Sequence, residues 1–167
     1  MHKEMNLVID PGFFTLDWVV AHGVKIVNAR SGAHSGGMSS VLSTMGEVIS
    51  RDIGTQLTDF NAIDDALRFG GNPRFFGKEH DISSYMPKAN EKVRQFVAVL
   101  ANKVGPSADI YNILMAGGGA AFFKDIVAEK FPHHTIHVTP DPVFANVRGF
   151  QFAGEHWVRQ NTLDQAA

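Results

Sequence analysis

The residues best able to do chemistry lie close together near the start of the chain, in Leu7-Val8-Ile9-Asp10-Pro11-Gly12-Phe13-Phe14-Thr15-Leu16-Asp17-Trp18. An apolar run delivers Asp10 into a glycine turn. Thr15 and Asp17 then open a second apolar run, so the pattern predicts a β-hairpin with polar groups at its tip. Glycine lets backbone approach an anion closely, and successive turn N–H groups form an anion nest. A carboxylate suits Mg²⁺, which usually keeps several of its waters. The chemistry this spacing points to is the holding of a phosphate and its magnesium. Asp10 also fits a plain Asx-turn, because Asp-Pro-Gly is turn-forming by itself; Thr15 and Asp17 favour the functional reading.

A second group is Ile113-Leu114-Met115-Ala116-Gly117-Gly118-Gly119-Ala120-Ala121, an apolar strand ending in three glycines that start a helix. A strand-to-helix turn accounts for one or two small residues, and three exceed that need. Helix N-termini favour anions, and the spacing is not that of the dinucleotide fingerprint G-x-G-x-x-G. A third group is Asp141-Pro142-Val143-Phe144-Ala145-Asn146-Val147-Arg148-Gly149. The cluster His133-His134-x-x-His137 lacks the helical H-E-x-x-H arrangement of a zinc site and reads as a solvated turn. Asp64-Asp65 reads as an exposed helix face, and no Ser-His-Asp or Cys-His arrangement is present to argue from.

Taken in order, the three groups resemble motifs of the actin / Hsp70 / sugar-kinase ATPase superfamily, most sharply those of bacterial actin-like plasmid-segregation proteins of the ParM/StbA type. The hairpin resembles the second phosphate motif, the glycine cluster the adenosine motif, and the Ala-Asn-x-x-Gly pattern the second connecting helix. The resemblance implies ATP and Mg²⁺ as cofactors. It implies Asp10 as the catalytic residue ordering Mg²⁺ and its waters, with Asp17 as a second metal-side carboxylate. It implies Gly12, Phe13, Phe14, Thr15 and Asp17 around the phosphates, and Gly117, Gly118 and Gly119 against ribose and adenine. Phe13-Phe14 stand where family members often carry a second small residue, so a bulkier loop is expected, or one whose aromatics pack on a neighbour. The function implied is that of the C-terminal half of an ATPase that polymerises for plasmid segregation, the fragment itself being inactive alone. The alternatives are a lobe of a sugar or acetate kinase, and a non-catalytic ribonuclease-H-like interaction domain. Implied partners are further copies of the chain (a filament, or a dimer of the fragment) and a DNA-binding adaptor protein, with no direct nucleic-acid or membrane contact.

The elements that position these groups follow from periodicity. Strands are expected near 6–10, 15–22 and 25–29, then a Gly/Ser-rich loop over 31–37. His34 in that loop is a candidate phosphate contact. Met38, Val41, Leu42, Met45, Val48, Ile49 and Ile53 recur at helical spacing, with Ser39 or Ser40 available as N-cap. A second helix from about 59 stops at Gly70-Gly71, a short strand or hairpin edge follows near 74–78, and the longest helix covers about 84–103. A buried strand over 110–116, a helix over 119–131, a strand over 135–138 and a helix over 142–157 complete the order. This predicts an α/β fold, a ribonuclease-H-like actin-type lobe with a mixed sheet flanked by helices and a mostly helical insertion. A single lobe over 1–160 is expected, with its core near 1–36 and 106–160, an inserted subdomain near 37–105, and a polar frayed tail over 161–167.

Composition constrains the rest. The 167 residues, 44% apolar and 19% charged, suffice for one packed domain. A net charge of −2 gives no support for a nucleic-acid surface. Without cysteine, disulfides and thiolate metal sites are excluded. No apolar run reaches a membrane span and no signal peptide is recognisable, so the expected location is the cytoplasm.

Overall fold

The computed structural model describes residues 4–164, and side chains through 161. Strand β1 (Met5–Pro11) turns into β2 (Leu16–His22), followed by β3 (Lys25–Ile26) and β4 (Gly32–His34). Helix α1 (Met38–Ile53), helix α2 (Asn61–Phe69) and the small hairpin of β5 (Arg74–Phe75) and β6 (Lys78–Glu79) lead to α3 (Met86–Val104). Then come β7 (Ile110–Met115), α4 (Ala120–Lys130), β8 (Ile136–Val138) and α5 (Ala145–Asp164).

The main sheet has the order β3-β2-β1-β7-β8, with β4 also paired to β2. β1 is antiparallel to β2 and parallel to β7, and β7 is parallel to β8, so the sheet is mixed. Side chains alternate between its two faces. Leu7, Ile9, Leu16, Trp18, Val20, Ile113 and Met115 share one face and are buried in a single cluster with residues of α1, α3 and α4. The opposite face carries Asn6, Val8, Asp10, Asp17, Val19 and Leu114, none of them fully buried. One face is therefore a helix-covered core and the other holds the acidic pair.

The expected α/β architecture with a mixed sheet is the one observed. Four local expectations differ. The loop expected over 31–37 contains β4, paired Leu16 to His34 and Trp18 to Gly32; Gly32 is needed because a Cβ there would lie 2.8 Å from the Trp18 ring. The strand expected over 25–29 shortens to Lys25–Ile26, because the chain turns back so that the Ser31 hydroxyl accepts from Val20 N–H at 3.0 Å. Of the segment 37–105, α1, α2 and α3 contribute Val41, Met45, Ile63, Val93 and Leu100 to the main core, while the β5–β6 hairpin forms a separate two-stranded sheet. Lastly, α5 continues through Asp164, into the segment expected as a tail; residues 165–167 lie outside the described residues. No helix among the described residues is long and apolar enough to cross a membrane.

Candidate functional site

The four-residue turn between β1 and β2 is closed by Gly12 N–H donating to the Thr15 carbonyl at 2.8 Å. The antiparallel register sets Asp10 directly opposite Asp17, so both carboxylates leave the same face of the sheet beside the turn. The Thr15 hydroxyl donates to Asp17 Oδ2 at 2.6 Å, and the Asn146 amide donates to Asp10 Oδ2 at 2.7 Å. Among the described residues no lysine or arginine is bonded to either carboxylate, so neutral donors orient both while leaving their charge uncompensated. Phe13 and Phe14 sit at the tip, their rings edge to face at 4.8 Å, with Phe14 73% exposed.

The glycine cluster docks beside this hairpin because β7 runs parallel to β1. Ala116 N–H donates to Ile9 O at 2.9 Å and Gly119 N–H to Pro11 O at 2.8 Å. The three glycines have different reasons. Gly117 has φ +76°, and a Cβ there would lie 2.0 Å from Asp10 Oδ1. At Gly119 a Cβ would lie 2.8 Å from Pro11 O. Both are accounted for by packing on β1. Gly118 alone is unconfined: a Cβ on it would meet only Val143 Cγ2, at 3.9 Å. The third segment closes on the same point. Gly117 N–H donates to Pro142 O at 2.8 Å, and the first turn of α5 brings in Asn146.

Between hairpin and glycine turn lies a small cleft of about 90 Å³, lined by Gly12, Phe13, Met38, Asp64, Leu67, Arg68, Gly118 and Gly119. That volume is below the roughly 300–1,000 Å³ of enclosed small-molecule sites, so the cleft is one wall of a site. Asp64, expected on an exposed face, is only 22% exposed and pairs with Arg68 at 2.9 Å on the α2 wall. The i, i+4 spacing of the pair was readable; that this face of α2 lines a cleft was not. Asn146 was visible only as part of a small-residue pattern.

The predicted serine cap of α1 is absent. Gly37 occupies the N-cap with no side-chain hydrogen bond, because hairpin carbonyls do the capping. Met38 N–H donates to Gly12 O at 3.1 Å and Ser39 N–H to Phe13 O at 2.8 Å. His34 packs on the Phe96 ring with centroids 5.3 Å apart, and among the described residues its Nδ1 is buried without a hydrogen-bond partner. His134 faces Phe131 edge-on and its Nε2 lies 3.0 Å from Ser107 O, tying a turn.

The residues present fit a magnesium ion. The donors are all oxygen, two carboxylates free of competing cations, beside turn N–H groups suited to phosphate. Among the described residues no three metal-ligating side chains converge, so waters and phosphate oxygens would complete the coordination.

A hairpin presenting two carboxylates, a glycine turn docked on it by a parallel strand, and a connecting helix returning to the first carboxylate together define an actin-like lobe. Residues 8–129 match the family described as archaeal actin homologue MreB-like, C-terminal, and the chain belongs to that family. Solved structures share the fold. The archaeal actin homologue Ta0583 superposes with a TM-score of 0.81 at 21% identity, over 92% of this chain and 49% of that one. A ParM filament from Clostridium botulinum gives 0.75 at 19% identity over 92% and 47%. MreB5 of Spiroplasma citri, bound to ADP, gives 0.69 at 18% identity over 95% and 55%. The chain thus spans about half the length of these relatives. Among curated protein sequences none is significantly similar to it.

Proposed function

We propose that this chain is the nucleotide-binding C-terminal lobe of an actin-like ATPase, and that it takes Mg·ATP at the β1–β2 turn with the nucleoside in the adjoining cleft. The observation carrying this reading is the Asp10 carboxylate, fixed by Asn146 at 2.7 Å and set opposite Asp17 at the foot of the turn. When bound, magnesium supplies charge neutralisation for phosphoryl transfer to water, a reaction in which positioning and electrostatics provide most of the catalysis. Asp10 and Asp17 would hold it, largely through its waters. The turn N–H groups of Phe13, Phe14 and Thr15 face the phosphates, while the Thr15 hydroxyl, donating to Asp17, orients that carboxylate. Gly118 leaves room for the sugar and base, with Asp64 and Arg68 on the opposite wall.

Two relatives support the nucleotide assignment, Ta0583 having a structure in complex with ADP and MreB5 another. The complete protein, in this reading, self-assembles as the ParM and Alp12 filaments do. Exposed Val147, Phe150, Phe152 and Trp157 on α5 offer apolar surface for such association. Carriage of DNA through an adaptor, as in plasmid partition, belongs to the same reading and rests on the ParM likeness alone.

Calorimetric titration of the chain with Mg·ADP and Mg·ATP tests the proposal. Mg-dependent binding that Asp10→Ala abolishes is expected. Absence of any Mg-dependent heat would leave a non-catalytic interaction domain as the better reading. Light scattering on the complete protein with Mg·ATP then separates a filament former from a sugar or acetate kinase lobe, which would not polymerise.

A further inference from the structure

The β1–β2 turn is held from behind, carbonyl by carbonyl, by the N-termini of two helices. Gly119 N–H at the start of α4 takes Pro11 O, Met38 N–H at the start of α1 takes Gly12 O, and Ser39 N–H takes Phe13 O. Every peptide bond in the described chain is trans, and in a planar trans peptide C=O and N–H point in opposite directions. Fixing Gly12 O toward α1 therefore aims Phe13 N–H away from α1. Fixing Phe13 O does the same for Phe14 N–H. Among the described residues neither of these two N–H groups has a bonded acceptor. Two adjacent free donors are thus held in parallel by a helix that has spent its own first amides on the task.

Gly37 makes this approach possible. A Cβ at Gly37 would lie 2.4 Å from Gly12 O, 2.7 Å from Phe13 O and 2.8 Å from Phe13 C. These are backbone atoms that cannot rotate aside, so any side chain there must push the turn off the helix. Gly37 has φ −118°, a value open to every residue. Contact, and not backbone conformation, demands glycine at this position.

We propose that Gly37 and the N-terminus of α1 are the positioning element of the phosphate subsite: by holding the Gly12 and Phe13 carbonyls they aim the Phe13 and Phe14 N–H groups jointly at an anion. The inference rests on the reading that the turn takes the nucleotide's phosphates, and it adds the part of the chain that makes the turn selective for them. A nucleoside without phosphates does not use these donors. Disturbing the clamp must therefore weaken a nucleotide and spare the nucleoside.

The experiment compares Mg·ADP with adenosine, by calorimetry, on the chain and two variants. Gly37→Ala inserts the obstructing methyl, and Gly37→Val a larger obstruction at the same point, both outside the residues that line the cleft. Their thermal midpoints report separately on folding. The expected result is a loss of about tenfold or more in Mg·ADP affinity for both variants, since hydrogen bonds to charged groups are worth about 1.5–3 kcal/mol, with adenosine affinity within about twofold of wild type. A wild-type chain that prefers Mg·ADP, with variants keeping the same Mg·ADP-to-adenosine ratio, would overturn the clamp while leaving the phosphate site standing. A wild-type chain without preference for Mg·ADP over adenosine would overturn the site itself and the clamp with it.

Discussion

Asn146, in the first turn of α5, donates its amide to Asp10 Oδ2 at 2.7 Å across 136 residues of chain. The contact fixes one oxygen of the carboxylate and anchors a helix whose apolar residues otherwise stay exposed. This side chain thus joins the site to the connecting helix. Groups that orient a metal-side carboxylate typically change metal affinity about 10–100-fold when removed. Asn146→Ala should accordingly raise the Mg²⁺ concentration needed for half-maximal nucleotide binding by about tenfold. An unchanged Mg²⁺ dependence would make the contact purely structural.

Asp10 itself should matter more for turnover than for folding, since it lies on the face of the sheet away from the core. In the complete protein Asp10→Ala should cut hydrolysis about a hundredfold or more, the worth of one well-placed electrostatic group. Phosphate release within twofold of wild type would remove Asp10 from the catalytic machinery.

The glycine cluster offers an internal contrast. Gly117→Ala puts a Cβ 2.0 Å from Asp10 Oδ1 at φ +76°, and should destabilise the chain by about 2 kcal/mol or more from overpacking and left-handed strain together. Gly118→Val meets only Val143 Cγ2 at ordinary contact distance, on an ordinary backbone, so its thermal midpoint should stay near wild type while nucleotide affinity falls. Equal behaviour of the two variants in melting and titration would contradict this division of roles.

Stability should also respond to acid through Asp109. A hydrogen bond from Arg30, opposed by the cost of burial and aided by the guanidinium charge, lowers the Asp109 carboxyl below its usual range, with Arg30 Nη1 at 2.6 Å. A depressed folded-state value stabilises above the unfolded value, about 3.9, and the gain is lost as pH falls through the folded one. The difference in urea midpoint between wild type and Asp109→Asn should hence be constant near neutrality and shrink below about pH 4. A difference that persists to strong acid would place the effect elsewhere.

Much of the site was legible because its logic is local. Asp10 and Asp17 face each other because a hairpin of this spacing must pair them, and the glycine cluster follows a strand whose apolar run marks it as buried. What escaped was set by distant partners. The α1 cap was sought in Ser39 or Ser40, whereas the acceptors are Gly12 and Phe13, brought there by the hairpin. β4 has three residues without alternation and exists through its pairing with β2. Asp64 lies on a helix face that local periodicity reads as solvent-exposed, and only the fold of the whole lobe turns it toward Gly118. The three glycines read as one motif, yet two of them answer to β1 packing and one to the cleft.

Strand β1 has neighbours of very different origin: β2 follows it across a tight turn, while Leu7 meets Ile113 of β7 on its other side. Hairpins close in microseconds, but pairing separated by some hundred residues carries a loop-closure cost that slows folding. The hairpin can thus form early as a local unit, whereas Gly117 and Gly118 reach it only when β7 docks. Under the proposed nucleotide reading, competence to bind is then acquired only once β7 has docked, and a ligand added during refolding should report the arrival of β7 rather than the formation of the turn it touches.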